Sequence, residues 1–356
     1  MKKTITTALT AMLFSGNLCA ATAFIKDMDG RDYFPLGVNY AWKDWGRDFS
    51  DAGWEGRFKV IQADLDAMQK RGVRTLRWWV YTDFTDSPVW KGKGKSLRCT
   101  GLPQGWVANF MKVADAAHQR GIRLYPAFSS FDLGRKGFKW VVTDKAVRKS
   151  FIENAVRPIL KAAGTHPGIF AWDIINEPEW LVSKEDGGDP NKELSDGPVS
   201  LKELREYIKD MAAEVHANAK QPVSVGGACI KWCGFEYDFY SGLDLDFFDI
   251  HFYDWMTPWF DYTKTPKTAM KLNPEAALKP VMVGESMDDP SLRYTGTNKP
   301  MDHLKFLKAL LSNGYAGYLP WAWYEKPEWR CDKSIDPYLN KALKELSLPG
   351  QPPPAK

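Results

Sequence analysis

Short apolar runs alternate with amphipathic helical stretches along nearly the whole chain, and no other feature restricts its fold as much. The runs expected as strands are Tyr33–Tyr40, Val73–Val80, Ile122–Phe128, Ile169–Ile175, Val223–Gly227, Phe247–Tyr253, Val281–Glu285 and Ala316–Trp323. Helices are expected at Arg57–Lys70, Trp106–Gln119, Lys145–Ala163, Leu201–Ala219, Asp302–Ser312 and Pro337–Leu346. Several runs are apolar throughout, which fits parallel strands buried on both faces. Eight such strands with mostly helical crossovers predict an α/β fold, a single closed (βα)8 TIM barrel. The crossover after the fifth strand is expected to be short or irregular. No interior linker divides the chain, so residues 24–347 are read as one barrel.

The ends read differently. Met1-Lys2-Lys3, an apolar stretch through Phe14 and small residues at Ala20, Ala21 and Ala23 have the form of a secretory signal peptide. It is assigned to residues 1–20, with cleavage as late as 23. Leu18, not a small residue, precedes Cys19, which argues against a lipid anchor. The protein is therefore expected to be secreted or periplasmic, with no membrane span. Residues 348–356 are proline-rich and are expected to form a disordered tail.

The chain carries a net charge of +4, and loss of Lys2 and Lys3 with the leader leaves +2. So small an excess gives no ground for a nucleic-acid partner. The histidines and cysteines show no zinc spacing. Cys99, Cys229, Cys233 and Cys331 remain after processing. An even count in an exported chain allows two disulfides or free buried thiols. Placement of the loops around a closed barrel favours Cys99–Cys331 and Cys229–Cys233.

Two glutamates end apolar strands. Glu177 follows the fourth strand in Asn176-Glu177-Pro178, and Glu285 ends the seventh in Gly284-Glu285. A carboxylate at the C-terminal end of a buried strand is badly placed for stability and well placed for chemistry. Two of them on one barrel can flank a glycosidic bond, one as proton donor and the other as nucleophile or base. Arg77 lies inside the second strand, where an unpaired charge would be costly. His251 and Tyr253 end the sixth strand on one face. Sixteen tryptophans are present, and several fall at strand ends, where a rigid amphipathic ring suits a sugar face.

Asn176-Glu177-Pro178 after strand four, with Gly284-Glu285 after strand seven, resembles clan A of the glycoside hydrolases, most of all the family-five (cellulase- and mannanase-like) members. The resemblance implies Glu177 as acid/base and Glu285 as nucleophile. It implies that Arg77 supports the nucleophile, that Tyr253 touches it, and that His251 lines the site. Trp321 matches the sugar platform on strand eight. Asn176 is placed to bond a sugar 2-hydroxyl. Asn39, Trp42 and Trp79 are candidate subsite residues, with core packing the alternative for Trp79. Trp323 is either a second platform or core. The chain departs from the family at strand three, where Tyr125-Pro126-Ala127-Phe128-Ser129-Ser130 carries no histidine.

The expected function is that of an exported retaining glycoside hydrolase, endo-acting on a β-linked polysaccharide. A β-glucan, a β-mannan or a bacterial exopolysaccharide would serve as substrate. No cofactor or metal is implied, and a monomer is expected. The rivals are a transglycosylase using the same residues and a non-catalytic carbohydrate-binding barrel. Retention of both glutamates argues against the second.

Overall fold

The computed structural model describes residues 23–286, 302–323 and 335–351. The signal peptide expected at 1–20 lies outside the described residues. Seven parallel strands form one sheet: β1 (Gly37–Asn39), β2 (Thr75–Trp79), β3 (Arg123–Ala127), β4 (Trp172–Asn176), β5 (Val223–Gly227), β6 (Phe248–Phe252) and β7 (Val281–Ser286). They lie in sequence order, each beside the next.

Residues 316–323 close the ring without forming a regular strand. Tyr318 bridges Leu36 on one side and Val283 on the other, both in parallel. Ala316 N donates to Val281 O at 2.7 Å, and Trp323 N donates to Asn39 O at 2.8 Å. Pro320 has no N–H to give, which interrupts the ladder. The expected (βα)8 barrel is thus present, with its eighth strand reduced to bridges.

The outer layer contains α1 (Trp54–Lys70), α2 (Trp106–Gln119), α3 (Lys145–Phe151), α4 (Arg157–Ala163), α5 (Leu201–Asn218), α6 (His303–Ser312) and α7 (Ile335–Glu345). A π-helical turn, Ile152–Val156, joins α3 to α4. Another, Lys231–Phe235, supplies the irregular crossover after β5. Ser200 and Glu203 cap α5 reciprocally, which satisfies two of the N–H groups left over at its start. Among the described residues no helix is long and apolar enough to cross a membrane.

Strand alternation sorts the side chains. Leu76 and Trp78 point outward into the core beneath the helices. Thr75, Arg77 and Trp79 point inward at three successive heights. At the lowest, Tyr33 OH meets Thr75 Oγ1 at 2.8 Å, and an apolar plug includes Ile25, Tyr33, Phe170 and Met282. Ile25 and Tyr33 come from a small N-terminal hairpin, Ile25–Lys26 with Asp32–Tyr33. The first strand expected from Tyr33 onward is therefore divided between this hairpin and β1. The middle height is polar and centred on Arg77. The uppermost is aromatic.

Two other expectations need correction. The tail placed at 348–356 starts too early, because Leu348 is buried, Pro349 O accepts from Phe34 N and Gln351 Nε2 donates to Phe34 O. Apolar burial and these bonds tie 348–351 to the barrel; 352–356 lie outside the described residues. The disulfides also differ, since Cys99, Cys229 and Cys233 are buried free thiols. Cys99 sits in an antiparallel hairpin, Val89–Lys91 with Arg98–Gly101, inside the long β2 loop. Its N–H donates to Ser150 Oγ on α3 at 2.9 Å, and its carbonyl accepts from Asn154 Nδ2 at 3.1 Å. The hairpin is thereby held on α3 and the π-helical turn that follows it. Cys331 lies outside the described residues. Cys233 Sγ approaches Glu179 Oε1 at 3.9 Å, and Cys229 Sγ accepts from Lys231 N at 3.5 Å.

Candidate active site

Arg77 organises the polar layer. Its side chain is fully buried, and all three of its nitrogens are engaged. Nε and Nη2 donate to Asp173 Oδ2 at 3.0 and 2.7 Å. Nη2 also donates to Asn176 Oδ1 at 2.8 Å. Nη1 donates to Asn39 Oδ1 at 3.2 Å and to Glu285 Oε1 at 2.6 Å. Side chains from four other strands thus converge on one guanidinium, if the 3.9 Å approach to Asp249 on β6 is included. Burial alone would drive the Arg77 pKa down, but Asp173, Glu285 and Asp249 together drive it up.

Two glycines give this cluster its room. A Cβ on Gly226 of β5 would lie 2.4 Å from Arg77 Nη2, and one on Gly284 of β7 would lie 2.0 Å from Asp249 Oδ1. The glycine before Glu285 is therefore dictated by the approach of a carboxylate from the next strand. Desolvation pushes Asp249 well above the usual carboxylate range.

Glu285 Oε2 accepts from Tyr253 OH at 2.8 Å. Burial raises the Glu285 pKa; His251, Arg77 and the Tyr253 bond oppose the rise. Glu177 has weaker support. Its Oε2 accepts from the Trp180 indole N–H at 2.9 Å, and His251 Nδ1 lies 2.8 Å from its Oε1. Burial pushes Glu177 up to about 7 against the pull of that indole and of Arg77. The two carboxyls therefore differ as an acid and a nucleophile must, since a buried guanidinium in direct contact favours charge more than a neutral N–H does.

Burial holds His251 down to about 4, so its ring is neutral near pH 7. Nδ1 lies 2.8 Å from Glu177 and 3.5 Å from Glu285, which places the ring proton on that nitrogen. One oxygen from each glutamate and a ring nitrogen of His251 all lie within 4.8 Å of one another. Three such donors could hold a metal ion. Each of the four carboxylate oxygens, however, already faces a donor: Arg77, Tyr253, Trp180 or His251. Such surroundings suit an acid–nucleophile pair better than a metal ion, since a cation would have to displace protein N–H and O–H groups.

The backbone sets the angle of Glu177. Its φ of 48° and ψ of 51° are left-handed, a costly conformation for a residue with a Cβ. Its N–H donates to Gly226 O on β5 at 2.7 Å, and Pro178 starts a 3-10 turn through Leu181. Spacing of three eclipses side chains on such a turn and brings Trp180 over Glu177. Glu179 points the other way and is fully buried. It accepts from Tyr240 OH at 2.6 Å and from Ala228 N at 3.0 Å, and burial pushes it up to about 8.

Above the polar layer, Trp79 and Trp321 are buried beneath Trp42 and Trp45. Ring centroids are 5.5 Å apart for Trp79–Trp321, 5.1 Å for Trp42–Trp79 and 4.6 Å for Trp42–Trp45. Ala127 of β3 belongs to this cluster. A small residue therefore stands at the mouth of the strand that lacks the family histidine.

Glu177, Glu285, Arg77, Asn176, His251, Tyr253, Trp42, Trp79 and Trp321 thus gather at one end of the barrel. Asn39 and Trp323, also expected there as sugar contacts, are placed otherwise. Asn39 has no exposed surface. Its Nδ2 donates to Gly284 O at 2.8 Å and contacts Leu319 O and Pro320 O at 3.2 Å, so it fastens the barrel seam and braces Arg77. Trp323 packs in the outer core with the Arg71 guanidinium 5.1 Å over its ring. Sequence reasoning did not single out Asp173, Glu179 or Trp45 as site residues, and it offered Trp180 only as one of several tryptophans at strand ends. Trp180 alone carried a local signal, its three-residue spacing from Glu177.

No family model matches the chain. A mannan endo-1,4-β-mannosidase of Cryptopygus antarcticus is 22% identical over 372 residues, covering 95% of this chain and 91% of that protein. A second, of Mytilus edulis, is 22% identical over 284 residues, covering 69% and 75%. Among solved structures, the β-1,4-mannanase of Aplysia kurodai superposes with a TM-score of 0.74 at 19% identity, covering 92% of this chain and 97% of that one. The β-mannanase of Mytilus edulis gives 0.69 at 19% identity, covering 91% and 97%. The chain thus shares the barrel fold of these mannanase structures over nearly its whole length, with Glu177 just after β4 and Glu285 near the end of β7, and it is similar in sequence to curated mannan endo-1,4-β-mannosidases.

Proposed function

We propose that the protein is an exported, retaining endo-β-mannanase that works as a monomer and hydrolyses a β-1,4-linked mannan. The observation that carries the mechanism is the closeness of Glu177 and Glu285, whose nearest oxygens lie within 4.8 Å. Retaining pairs stand about 5–5.5 Å apart, whereas inverting pairs leave about 6.5–9.5 Å for a water. Mannan as substrate, and attack within the chain, are supported by the names of the two curated relatives.

Glu285 attacks the anomeric carbon from its ionised state, oriented by Arg77 and Tyr253. Glu177 gives its proton to the departing glycosidic oxygen as the C–O bond breaks. A glycosyl ester on Glu285 results. Glu177, now ionised, takes a proton from water, and that water releases the sugar with its original configuration. Neutral His251 spans the two carboxyls throughout. The Asn176 amide, held by Arg77, is positioned to meet the sugar 2-hydroxyl.

The test is to incubate the secreted protein with linear mannan, β-glucan and bacterial exopolysaccharide, and to follow a soluble product by NMR. Internal cleavage of mannan with β-configured initial products is expected. An α-configured initial product would reject the retaining assignment, and inertness toward mannan with cleavage of another glycan would reject the substrate. N-terminal sequencing of the exported protein should give a start between residues 21 and 24.

A further inference from the structure

Beside the tryptophan cluster is a cavity of about 400 Å³ lined by Trp45, Asp83, Asp132, Arg135, Lys136 and Glu193. No step of the hydrolysis uses it. Its volume falls in the range that holds small ligands. Two of its lining residues, Trp45 and Asp132, link it to the neighbouring layers. Trp45 belongs both to the cavity and to the cluster with Trp42 and Trp79. Asp132 Oδ2 accepts from Ser130 Oγ at 2.7 Å, and that hydroxyl lies 3.5 Å from Asn176 Nδ2.

The lining is held in place at some cost. Trp45 donates its indole N–H to Asp83 Oδ2 at 3.1 Å. Arg135 pairs with Asp132 at 2.7 Å and with Glu193 at 3.1 Å, linking the loops after β3 and β4. Trp45, Thr82 and Phe84 all have left-handed backbone, with φ of 32°, 50° and 66°. Three non-glycine residues in that region, flanking one cavity, mark strain that the surroundings must hold.

The chemistry fits one class of ligand. Carboxylates accept from sugar hydroxyls, the guanidinium and ammonium donate to them, and the indole covers a C–H face. Three carboxylates against two cations leave one negative charge, which disfavours an acidic sugar.

We infer that this cavity binds an uncharged hexose unit of the polysaccharide away from the cleaved bond, so that the enzyme reads its substrate beyond the reacting sugar. The unit is either a further residue of the backbone or a side branch. The inference rests on the glycan-hydrolase reading above.

The experiment measures kcat/KM for linear manno-oligosaccharides of increasing length and for galactose-branched counterparts. Wild type is compared with Arg135→Ala and Glu193→Ala. Both side chains reach solvent, with 32% and 71% exposure, and melting temperatures verify that the variants fold. The ratio of kcat/KM on long or branched substrate to that on the shortest cleaved substrate should fall at least tenfold in both variants. A fall in the linear series assigns the cavity to the backbone; a fall only in the branched series assigns it to a branch. Unchanged ratios in both series would overturn the inference. If wild type leaves every mannan intact, the mannan reading fails by itself, and the same ratio on the glycan it does cut tests the cavity.

Discussion

Arg77 Nη1 donates to Glu285 Oε1 at 2.6 Å across the barrel interior, joining residues 208 positions apart. The same guanidinium holds Asp173 and Asn176, so Glu285 and the residue next to Glu177 share one anchor. Under the proposed mechanism, catalysis and barrel stability are coupled at this single side chain.

Replacing Arg77 should damage both. Arg77→Met leaves Asp173 and Glu285 as buried carboxylates without a cation, a change that costs roughly 3–5 kcal/mol where a buried pair is broken. The melting temperature should fall, and kcat should fall by about 10²-fold or more even in folded protein, since Glu285 would take up a proton. Arg77→Lys restores the charge without the fork and should recover only part of either loss. Thermal melts and kcat on the same preparations decide this. Full activity in folded Arg77→Met would remove Arg77 from the mechanism.

The catalytic pair predicts two different losses. Glu285→Gln should lower kcat by about 10⁴-fold on every substrate, because no nucleophile remains. Glu177→Ala should be equally poor on mannan but retain turnover on aryl glycosides, whose leaving groups need no proton. Equal residual rates for Glu177→Ala on both substrates would contradict the acid assignment.

Activity and stability should both depend on pH, through neighbouring glutamates. Glu177, raised to about 7, is protonated below that value, so the alkaline limb of activity should lie near pH 7. Trp180→Phe removes a donor that favours the carboxylate and should move the limb upward. Glu179 is raised to about 8 from 4.5. Its folded state binds a proton that its unfolded state releases, so its contribution is fully present below pH 4.5 and is lost as pH rises through about 8. Glu179→Gln imitates the protonated acid and should flatten the fall in melting temperature between pH 5 and 8. An unaltered slope would mean that Glu179 titrates normally.

Two tryptophans two positions apart, Trp321 and Trp323, should respond in opposite ways. Trp321 faces Trp79 and Trp42 at the barrel mouth, whereas Trp323 lies in the outer core under Arg71. Trp321→Ala should cost about 1–3 kcal/mol in kcat/KM, on the scale of burying one large side chain. Trp323→Ala should lower the melting temperature and leave kcat/KM per folded molecule nearly unchanged. The reverse pattern would exchange their roles.

The strand-and-helix order was legible in the chain because apolar periodicity is local. Each run from Val73 to Glu285 fixes its own face without reference to distant residues. The two glutamates were legible for the same reason: each ends such a run. What the chain could not display is which polar groups meet once the ring closes. Asn39 reads in sequence as a sugar contact, but the seam with residues 316–323 absorbs its amide. Asp173 sat unnoticed in an apolar strand, and a register shift between Asp173 and Asn176 then turned both toward Arg77. Cys99, expected in a disulfide, is instead a free buried thiol that a hairpin inside a long loop carries to α3. For Asn39 and Asp173 the deciding contact spans strands far apart in sequence, and only the assembled barrel brings those atoms within hydrogen-bond range; for Cys99 it joins a loop hairpin to a helix.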